Sequence, residues 1–349
     1  MIGAGPFEDL PREGARDFGE DPWRLVLRGV DPQLAGQDET IFSLSNGYLG
    51  LRGNHEEGLP LGNHGTFVNG LHETWRISHA EYAYGFAEHG QTIVNAPDAK
   101  TIRIYVDDER LNLSSSDVLE LTRTLDMRAG TLERSLLWLT PTGKKVRVDT
   151  PPMVSFASRH MATLEMRITV LDADAELTVS SLIVNRQDLG RVDRALPEAG
   201  ALIVDPRRSE RLSERTLEPG PALHEGSRSV LSFRVRASGM VLGVGVDHDF
   251  DGAGGEWQTR VQPFEDRVRH VFQGRVERGR TVRLVKTIAY HSSGTATLPE
   301  MLDRCVHTLD RVASEPPEQR WEAQRRFLDE FWDRSDVRVD AEPGVQQAV

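Results

Sequence analysis

The strongest constraint on the fold is an alternation of apolar and polar residues with a period of two. In the segment KTIRIYVDDERL, Ile102, Ile104 and Val106 fall on one face of an extended chain. The spacing recurs from about Trp23 to about Ser292; examples are Leu164, Met166, Ile168 and Val170, then Leu231, Phe233 and Val235, and then Val282, Leu284 and Ile288. Such alternation buries one face of each strand, as in antiparallel sheets. We therefore expect an all-β domain of two large sheets packed face to face, with no amphipathic helix in it.

Turn-forming residues separate these predicted strands. Pro141-Thr142-Gly143 divides LERSLLWLTPTGKKVRV into two strands, which predicts a hairpin. The segment FSLSNGYLGLRG, residues 42–53, also has the spacing of two short strands around a turn at Asn46-Gly47, where glycine allows a positive φ. It continues into Asn54 and the acid pair Glu56-Glu57. This corner is therefore a candidate site as well as a candidate part of the scaffold.

The pattern changes near residue 297, where two helices are predicted. Thr297 is placed as the N-cap of the first, with Glu300 three residues later, which is a capping box. An apolar stripe at helical spacing follows, until Pro316-Pro317 ends it. The second helix, EQRWEAQRRFLDEFWDRS, is expected to carry Trp321, Gln324, Phe327, Leu328, Phe331 and Trp332 on one side. The final GVQQAV is typical of a helix that is starting.

Composition excludes several classes of function. The 349 residues carry a formal net charge of −12 with basic and acidic residues interspersed, which argues against binding to nucleic acid. No apolar run approaches the length of a membrane span, and the first 21 residues have no apolar core, so we expect a loose leader rather than a signal peptide. Cys305 is the only cysteine, which favours a reducing, cytoplasmic location.

Acids near the corner raise the question of catalysis. Glycoside chemistry uses two carboxylates, and Glu56, Glu57, Glu73, Glu81 and Glu88 lie within one short region. Adjacent residues such as Glu56 and Glu57 cannot straddle a sugar, and acids in a surface loop are ordinarily exposed. We therefore expect these carboxylates to bind neighbouring loops, and we keep a hydrolase that uses them as a third hypothesis.

Aromatic residues are dense in the segment GTFVNGLHETWRISHAEYAYGFAEHGQT, which we interpret as a long loop. Its rings, Phe67, Trp75, Tyr82, Tyr84 and Phe86, either stack on sugar rings or pack against one another. Long ordered loops are often functional, so both interpretations stay open.

Metal binding is not favoured. The run Asp247, Asp249, Asp251 and Gly252 matches the start of a calcium loop, but Gln258 stands where a bidentate glutamate is needed. A polar hairpin turn is the better interpretation. Five histidines, His55, His64, His72, His79 and His89, show no zinc-ligand spacing.

Taken together, several blocks resemble a known family. ETIFSLSNGYLGLRGNHEEG, GTFVNGLHE, AYGFAEHGQTIVNAPDAKTIRIYVDDERL and LDMRAGTLERSLLW occur in this order, and they resemble the N-terminal region of glycoside hydrolase family 65. That family contains maltose, trehalose and kojibiose phosphorylases and related hydrolases. The likeness runs from about Trp23 to Val349 and is strongest from Glu39 to Trp138. It is weak between Asp188 and Gly226, where we expect a variable insertion.

The resemblance implies a mainly β fold in four parts. A flexible leader at 1–21 precedes a large antiparallel β-sandwich at 22–293, a helical linker at 294–335 and, at 336–349, the first helix of an α/α barrel. In the family the barrel carries the catalytic glutamate and the phosphate pocket. The resemblance therefore implies no catalytic residue, metal or organic cofactor here, and inorganic phosphate as co-substrate of an intact enzyme that acts with inversion on an α-linked glucose disaccharide.

The resemblance also implies that the sandwich braces the barrel, helps shape the substrate entrance and forms dimer contacts. Arg52, Trp75, Tyr82 and Tyr84 are the candidates at the entrance. Phe327, Phe331 and Trp332 are the candidates for the interface with the barrel. The alternative is a stand-alone module that binds carbohydrate or protein, for which the aromatic segment is the support.

Overall fold

The protein is a β-sandwich followed by helices. A computed structural model describes residues 18–348 apart from 20, 30, 32, 58–63, 78, 80, 82, 186–214 and 341–342. Within these residues every strand pairing is antiparallel, and the strands form three sheets. The prediction of a mainly β, antiparallel fold is confirmed, although one large and two smaller sheets replace the two large sheets expected.

The large sheet forms one side of the sandwich. In spatial order it contains β1 (Arg24–Arg28), β8 (Asp117–Asp126), β9 (Thr131–Leu139), β10 (Lys145–Thr150), β12 (Met161–Val170), β19 (Thr281–Ser293), β16 (Val241–Asp251), β15 (Arg228–Val235) and β14 (Leu217–Glu225), and β11 (Pro152–Val154) pairs with β12 and β9. The hairpin predicted around Pro141 is confirmed as β9 and β10. The predicted variable insertion, Asp188 to Gly226, lies mostly outside the described residues, but its last part forms β14.

Two smaller sheets supply the other strands. One contains β17 (Trp257–Pro263), β18 (Arg267–Val276), β13 (Ala175–Val184), β6 (Ile102–Val106) and β7 (Glu109–Arg110), and the other contains β2 (Leu44–Ser45), β3 (Leu49–Leu51), β4 (Thr66–Arg76) and β5 (His89–Asn95). Inward residues of all three sheets join a single apolar cluster, which includes Ile104, Ile168 and Phe233. The period-two pattern therefore placed the core residues correctly.

The helices are α1 (Ala35–Ile41), α2 (Leu298–Ala313), α3 (Pro317–Ser335) and α4 (Pro343–Ala348). Helix α1 corrects the expectation of no helix in the sandwich. Its buried residues are Ala35, Asp38 and Glu39, so two of the three are acids and no apolar stripe marked it. None of the described helices is long and apolar enough to cross a membrane.

Helix α2 packs on the outer face of the large sheet. Thr297 caps it by accepting a hydrogen bond from Glu300 N (3.4 Å), as predicted. A Cβ on Gly243 would lie 2.7 Å from Met301 O, so glycine is needed for this approach. Buried Cys305 and Leu309 fill the space between α2 and the sheet.

The Asp247 segment does not form the expected hairpin. Strand β16 pairs with β15 and β19, whereas β17 pairs with β18 in the five-stranded sheet. Both sides of β16 are already occupied, so the turn after Asp251 carries the chain from one sheet to another.

Candidate functional site

The corner at residues 42–57 is a tightly bonded part of the scaffold. Asn46 Oδ1 accepts hydrogen bonds from Tyr48 N (3.0 Å) and Leu49 N (2.8 Å), which closes the predicted turn. The amide group of Asn46 donates to Ser155 O (2.6 Å) and Arg159 O (3.0 Å). One side chain thus both shapes the turn and ties it to a distant part of the large sheet.

Glu56 and Glu57 are buried, which corrects the expectation that they are exposed loop acids. Arg134 of β9 forms a two-pronged ion pair with Glu57, and its Nη1 lies 3.4 Å from Glu56 Oε2. Burial lowers the pKa of Arg134, but the carboxylates of Glu57 and Glu56 outweigh it and hold that pKa above its usual value. Burial raises the pKa of Glu56, and Arg134 opposes the rise.

A second buried arginine completes this corner. Arg123 of β8 donates from Nη2 to Gly53 O (2.5 Å), and its guanidinium lies 4.7 Å from the centre of the Phe42 ring. Burial lowers the pKa of Arg123 to about 10. A Cβ on Gly53 would lie 2.4 Å from Phe42 O, so the backbone can pass here only as glycine. We name Gly53, Glu56, Glu57, Arg123 and Arg134, together with His55, the charged corner.

The sequence contains a signal for the burial of both arginines. Arg123 stands between Leu121 and Leu125, and Arg134 stands between Leu132 and Leu136, so each occupies the buried face of its strand. A buried guanidinium needs a partner of opposite charge, because the cost of desolvating an unpaired ion is large. The alternation therefore predicts that acids elsewhere in the chain are buried beside these arginines.

His55 lies within the charged corner and is neutral. Burial lowers its pKa well below the usual 6.5, and the positive charges of Arg123 and Arg134 lower it further. Its Nδ1 lies 3.3 Å from Arg134 Nη1, a distance at which the neutral ring nitrogen accepts a hydrogen bond. The corner thus contains two acids, two arginines and a neutral histidine.

Arg52, the first entrance candidate, is tied to α1. Its Nη2 donates to Gly36 O (2.6 Å), and its Nε lies 3.7 Å from buried Glu39 Oε2. The side chain remains partly exposed. Its contacts in the described residues brace the helix against the corner.

The aromatic segment is only partly a loop, which corrects that interpretation in part: β4 takes Thr66–Arg76, β5 starts at His89, and Tyr84 and Phe86 lie in the connection between them. Phe67 and Trp75 lie on β4, and the Trp75 ring covers Gly90 of β5, where a Cβ would lie 2.3 Å from the indole. Tyr84 is fully exposed, and Tyr82 lies outside the described residues. The structure therefore does not bring Arg52, Trp75 and Tyr84 into contact with one another among the described residues.

Glu73, on the same strand, links two sheets. Its buried carboxylate accepts hydrogen bonds from Ala237 N and Ser238 N, at 2.8–3.1 Å. These residues follow β15, so the carboxylate holds the four-stranded sheet against the large sheet. Glu81 and Glu88 are exposed.

The interface candidates lie along α3 with different exposure. Trp332 is half-buried, and its ring meets that of Trp23 edge-on at 5.0 Å. Phe327 stacks on Phe156 at 5.5 Å but remains 45% exposed, and Phe331 remains 43% exposed. We name Phe327 and Phe331 the α3 face. The side of α3 buried against the sandwich carries Arg320, Gln324 and Leu328, so the predicted apolar stripe holds only in part.

The remaining acids and histidines do not form a metal centre in the part of the chain that the structure describes. In the segment that resembled a calcium loop, Asp247 pairs with Arg228 (2.8 Å), and Asp251 Oδ1 accepts from Ala253 N (2.9 Å). These two carboxylates bind neighbouring groups and do not point at a common site.

Comparison with known proteins agrees with this architecture. The family model described as glycosyl hydrolase family 65, N-terminal domain, matches residues 25–331. An uncharacterized glycosyl hydrolase of Mycobacterium tuberculosis is 34% identical over 95% of this chain and 41% of its own length. An α,α-trehalose phosphorylase of Thermoanaerobacter brockii is 27% identical over 90% of the chain and 40% of its own length.

A solved structure shares the fold. A putative kojibiose phosphorylase from the human microbiome superposes with a TM-score of 0.80 and 19% identity, over 94% of this chain and 40% of that one. The fold is thus that of a large β-sandwich with a helical pair at its end. The chain belongs to glycosyl hydrolase family 65 as its N-terminal domain, and it spans about two fifths of the length of these relatives.

Proposed function

We propose that this chain is the non-catalytic β-sandwich portion of an inverting α-glucoside phosphorylase or hydrolase, of the maltose, trehalose or kojibiose type. It braces a catalytic α/α barrel and helps shape the substrate entrance. Relatives named trehalose, kojibiose and maltose phosphorylase support the substrate class. Inorganic phosphate is then the co-substrate of the intact enzyme.

The α3 face carries this proposal. Two phenylalanines four residues apart stand nearly half exposed on a helix whose other side is buried on the sandwich. Contiguous exposed apolar patches are typical of protein–protein interaction sites. The relatives are more than twice the length of this chain, which supports the proposal that a barrel domain covers the face.

The charged corner supports the same proposal, because its acids are not suited to catalysis. Its carboxylates are engaged by arginines inside the sandwich, so they are poor candidates for the acid and the base of glycoside cleavage. The proposal therefore assigns catalysis to the barrel and stability to the corner.

Dye binding tests the bracing role. The 349-residue chain is expected to bind an apolar fluorescent dye or to self-associate. The double variant Phe327→Asp, Phe331→Asp is expected to reduce both. Phe264→Asp is the matched control, because Phe264 is also 45% exposed but lies in the turn after β17. A monomeric chain without dye binding, or an equal effect of Phe264→Asp, argues against the proposal.

One observation favours the alternative of a stand-alone module for carbohydrate or protein. The tip between β4 and β5 exposes Tyr84 fully and Phe86 to nearly half. The intact mass of the native polypeptide from its source cell separates the two functions. A mass far above 39.0 kDa is expected if a barrel is attached, and a mass near 39.0 kDa favours the module.

A further inference from the structure

Positive charge collects where α2 meets the loop between β11 and β12. On α2, the exposed residues Glu300, Arg304, His307 and Arg311 recur at helical spacing, so they share one side of the helix. The loop, residues 155–160, contributes the exposed Arg159. We name Arg159, Arg304 and Arg311 the arginine patch. It involves none of the entrance candidates and none of the α3 face.

Two arginines of the patch are held in place by the loop. Arg159 donates from Nε to His160 Nε2 (3.2 Å), and its guanidinium lies 5.5 Å from the centre of the Tyr48 ring. Arg311 donates from Nη2 to Ser158 Oγ (2.9 Å). Both contacts fall within three consecutive residues, 158–160. Guanidinium groups that are positioned before a ligand arrives reduce the entropy cost of binding it.

The charges of Arg159 and Arg311 are not matched by acids. Neither guanidinium forms an ion pair with a carboxylate in the part of the chain that the structure describes, whereas Arg304 pairs with Glu300 (2.6 Å). Asp310, another acid of α2, pairs with an arginine of β15. The chain as a whole has a formal net charge of −12, so this positive surplus is local, and it attracts an anion.

Two stacked histidines indicate that the positive charges converge. The rings of His160 and His291 lie 4.1 Å apart, centre to centre. Burial lowers the pKa of both, to about 3 for His291. The positive charges of Arg159, Arg304 and Arg311 lower both pKa values further. Both rings are therefore neutral at pH 7, and a bound anion would oppose the field that keeps them so.

We propose that the arginine patch binds the phosphate group of a small anion. Guanidinium groups match phosphate oxygens with paired, charge-assisted hydrogen bonds. A phosphate ester carries about −1.5 to −2 charges at pH 7, which suits two unmatched guanidiniums better than the single charge of a carboxylate does. The ligand is inorganic phosphate or a phosphate ester. The site is independent of the proposed bracing role.

Isothermal titration calorimetry of the 349-residue chain tests this site at constant ionic strength, with inorganic phosphate and glucose 6-phosphate as probes. We expect saturable binding of at least one probe. Equal affinities indicate that the phosphate group alone is recognised, and tighter binding of the sugar phosphate indicates an ester as the ligand. Arg159→Gln and Arg311→Gln are each expected to weaken binding about tenfold, as for one lost charge-assisted hydrogen bond.

Arg278→Gln is the matched control. Arg278 is also exposed and its loss changes the net charge equally, but it lies in the turn before β19, at the opposite end of that strand from His291. Thermal melts confirm that each variant is folded. The proposal is overturned if neither phosphate probe binds, or if Arg278→Gln weakens binding as much as Arg159→Gln.

Proton uptake provides a second readout that a purely structural role would not give. Sulfate has the shape of phosphate but carries no proton at pH 6, so its titration in two buffers of different ionisation enthalpy reports protons taken up by the protein. The groups that face His160 are Arg159, Arg304, Arg311, His291 and the ring of Tyr48, and none is a carboxylate.

An anion in the patch raises the pKa of His160, so we expect proton uptake at pH 6 in the unmodified chain and less in His160→Asn. No uptake, or uptake that His160→Asn leaves unchanged, would place the anion elsewhere and overturn the proposal.

Discussion

The charged corner and the α3 face differ in what their conspicuous residues contact. In the corner, two carboxylates and two guanidiniums are buried, and they contact one another and the nearby backbone. On the α3 face, Phe327 and Phe331 contact aromatic neighbours on one side and solvent on the other. The ionisable residues thus pair with one another, while the two rings remain partly exposed.

The difference teaches that chemical type alone does not identify a site. A pair of acids attracts a catalytic hypothesis, yet a buried acid whose charge is already matched cannot easily serve a substrate. An exposed phenylalanine has no acid–base chemistry, but its apolar surface is stabilised when association removes it from water.

Removal of Arg134 should produce the largest effect. Arg134→Met leaves Glu57 and Glu56 buried without their main counter-charge, so we expect a loss of about 3–5 kcal/mol in the free energy of unfolding. Urea unfolding measures it. Arg280→Met, which removes an exposed pair with Glu277, should cause no measurable change. Equal effects in the two variants would show that the corner is not a buried ion pair.

Gly53→Ala should produce the next largest effect. The added methyl would meet Phe42 O at 2.4 Å and Arg123 Nη2 at 2.9 Å, so we expect a loss of about 1–3 kcal/mol, as for other overpacked positions. Gly294→Ala is the control, since a Cβ there meets no atom within 4 Å. If thermal melts show the same stability for both variants, the backbone at Gly53 does not lie as close to Phe42 O as described.

A smaller effect is expected in the dependence of stability on pH. His55 has a folded pKa well below the unfolded 6.5, because desolvation and the positive charges of Arg123 and Arg134 lower it. Below pH 6.5 the unfolded chain therefore binds more protons, and its contribution to stability is lost as the pH falls. Glu56, whose pKa is raised, contributes in the opposite direction.

His55→Gln should flatten the loss of stability between pH 6.5 and pH 5 in urea unfolding. His224→Gln provides the comparison, because burial also lowers the pKa of His224 but that side chain lies on β14, away from the corner. An unchanged slope in His55→Gln would mean that the pKa of His55 is the same in the folded and unfolded states, which would contradict its lowered pKa.

Phe331→Ser should have the smallest effect on folding. The side chain is 43% exposed, so we expect the free energy of unfolding to change by less than about 1 kcal/mol. Circular dichroism melts measure it. A large loss of stability would mean that Phe331 contributes to the core. The α3 face would then be structural, as the charged corner is expected to be.

The two regions also differ in how far the sequence predicts them. Alternation identified the strands and their buried faces, as at Ile104 and Phe233. Burial of one face of a strand requires an apolar residue at every second position, and this pattern is local in the sequence. The cap at Thr297 was predictable for the same reason, since its partner Glu300 lies three residues away.

The pairing in the corner could not be predicted in full, because Glu57 and Arg134 are 77 residues apart. Alternation does place Arg134 on a buried face, but it does not say which acid meets it. Helix α1 was missed because acids rather than apolar residues make up most of its buried side. The number of sheets could not be predicted, because the residues after Asp251 are typical of a turn in either case. Such a turn can join two paired strands, or it can carry the chain from a strand of one sheet to a strand of another, as it does between β16 and β17.

We expect this sandwich to be a scaffold whose carboxylates are structural. The most direct test of this expectation is the turnover of maltose, trehalose and kojibiose by the folded 349-residue chain, with and without inorganic phosphate. The account predicts no release of glucose and no formation of glucose phosphate. Turnover that Glu56→Gln or Glu57→Gln abolishes would contradict it.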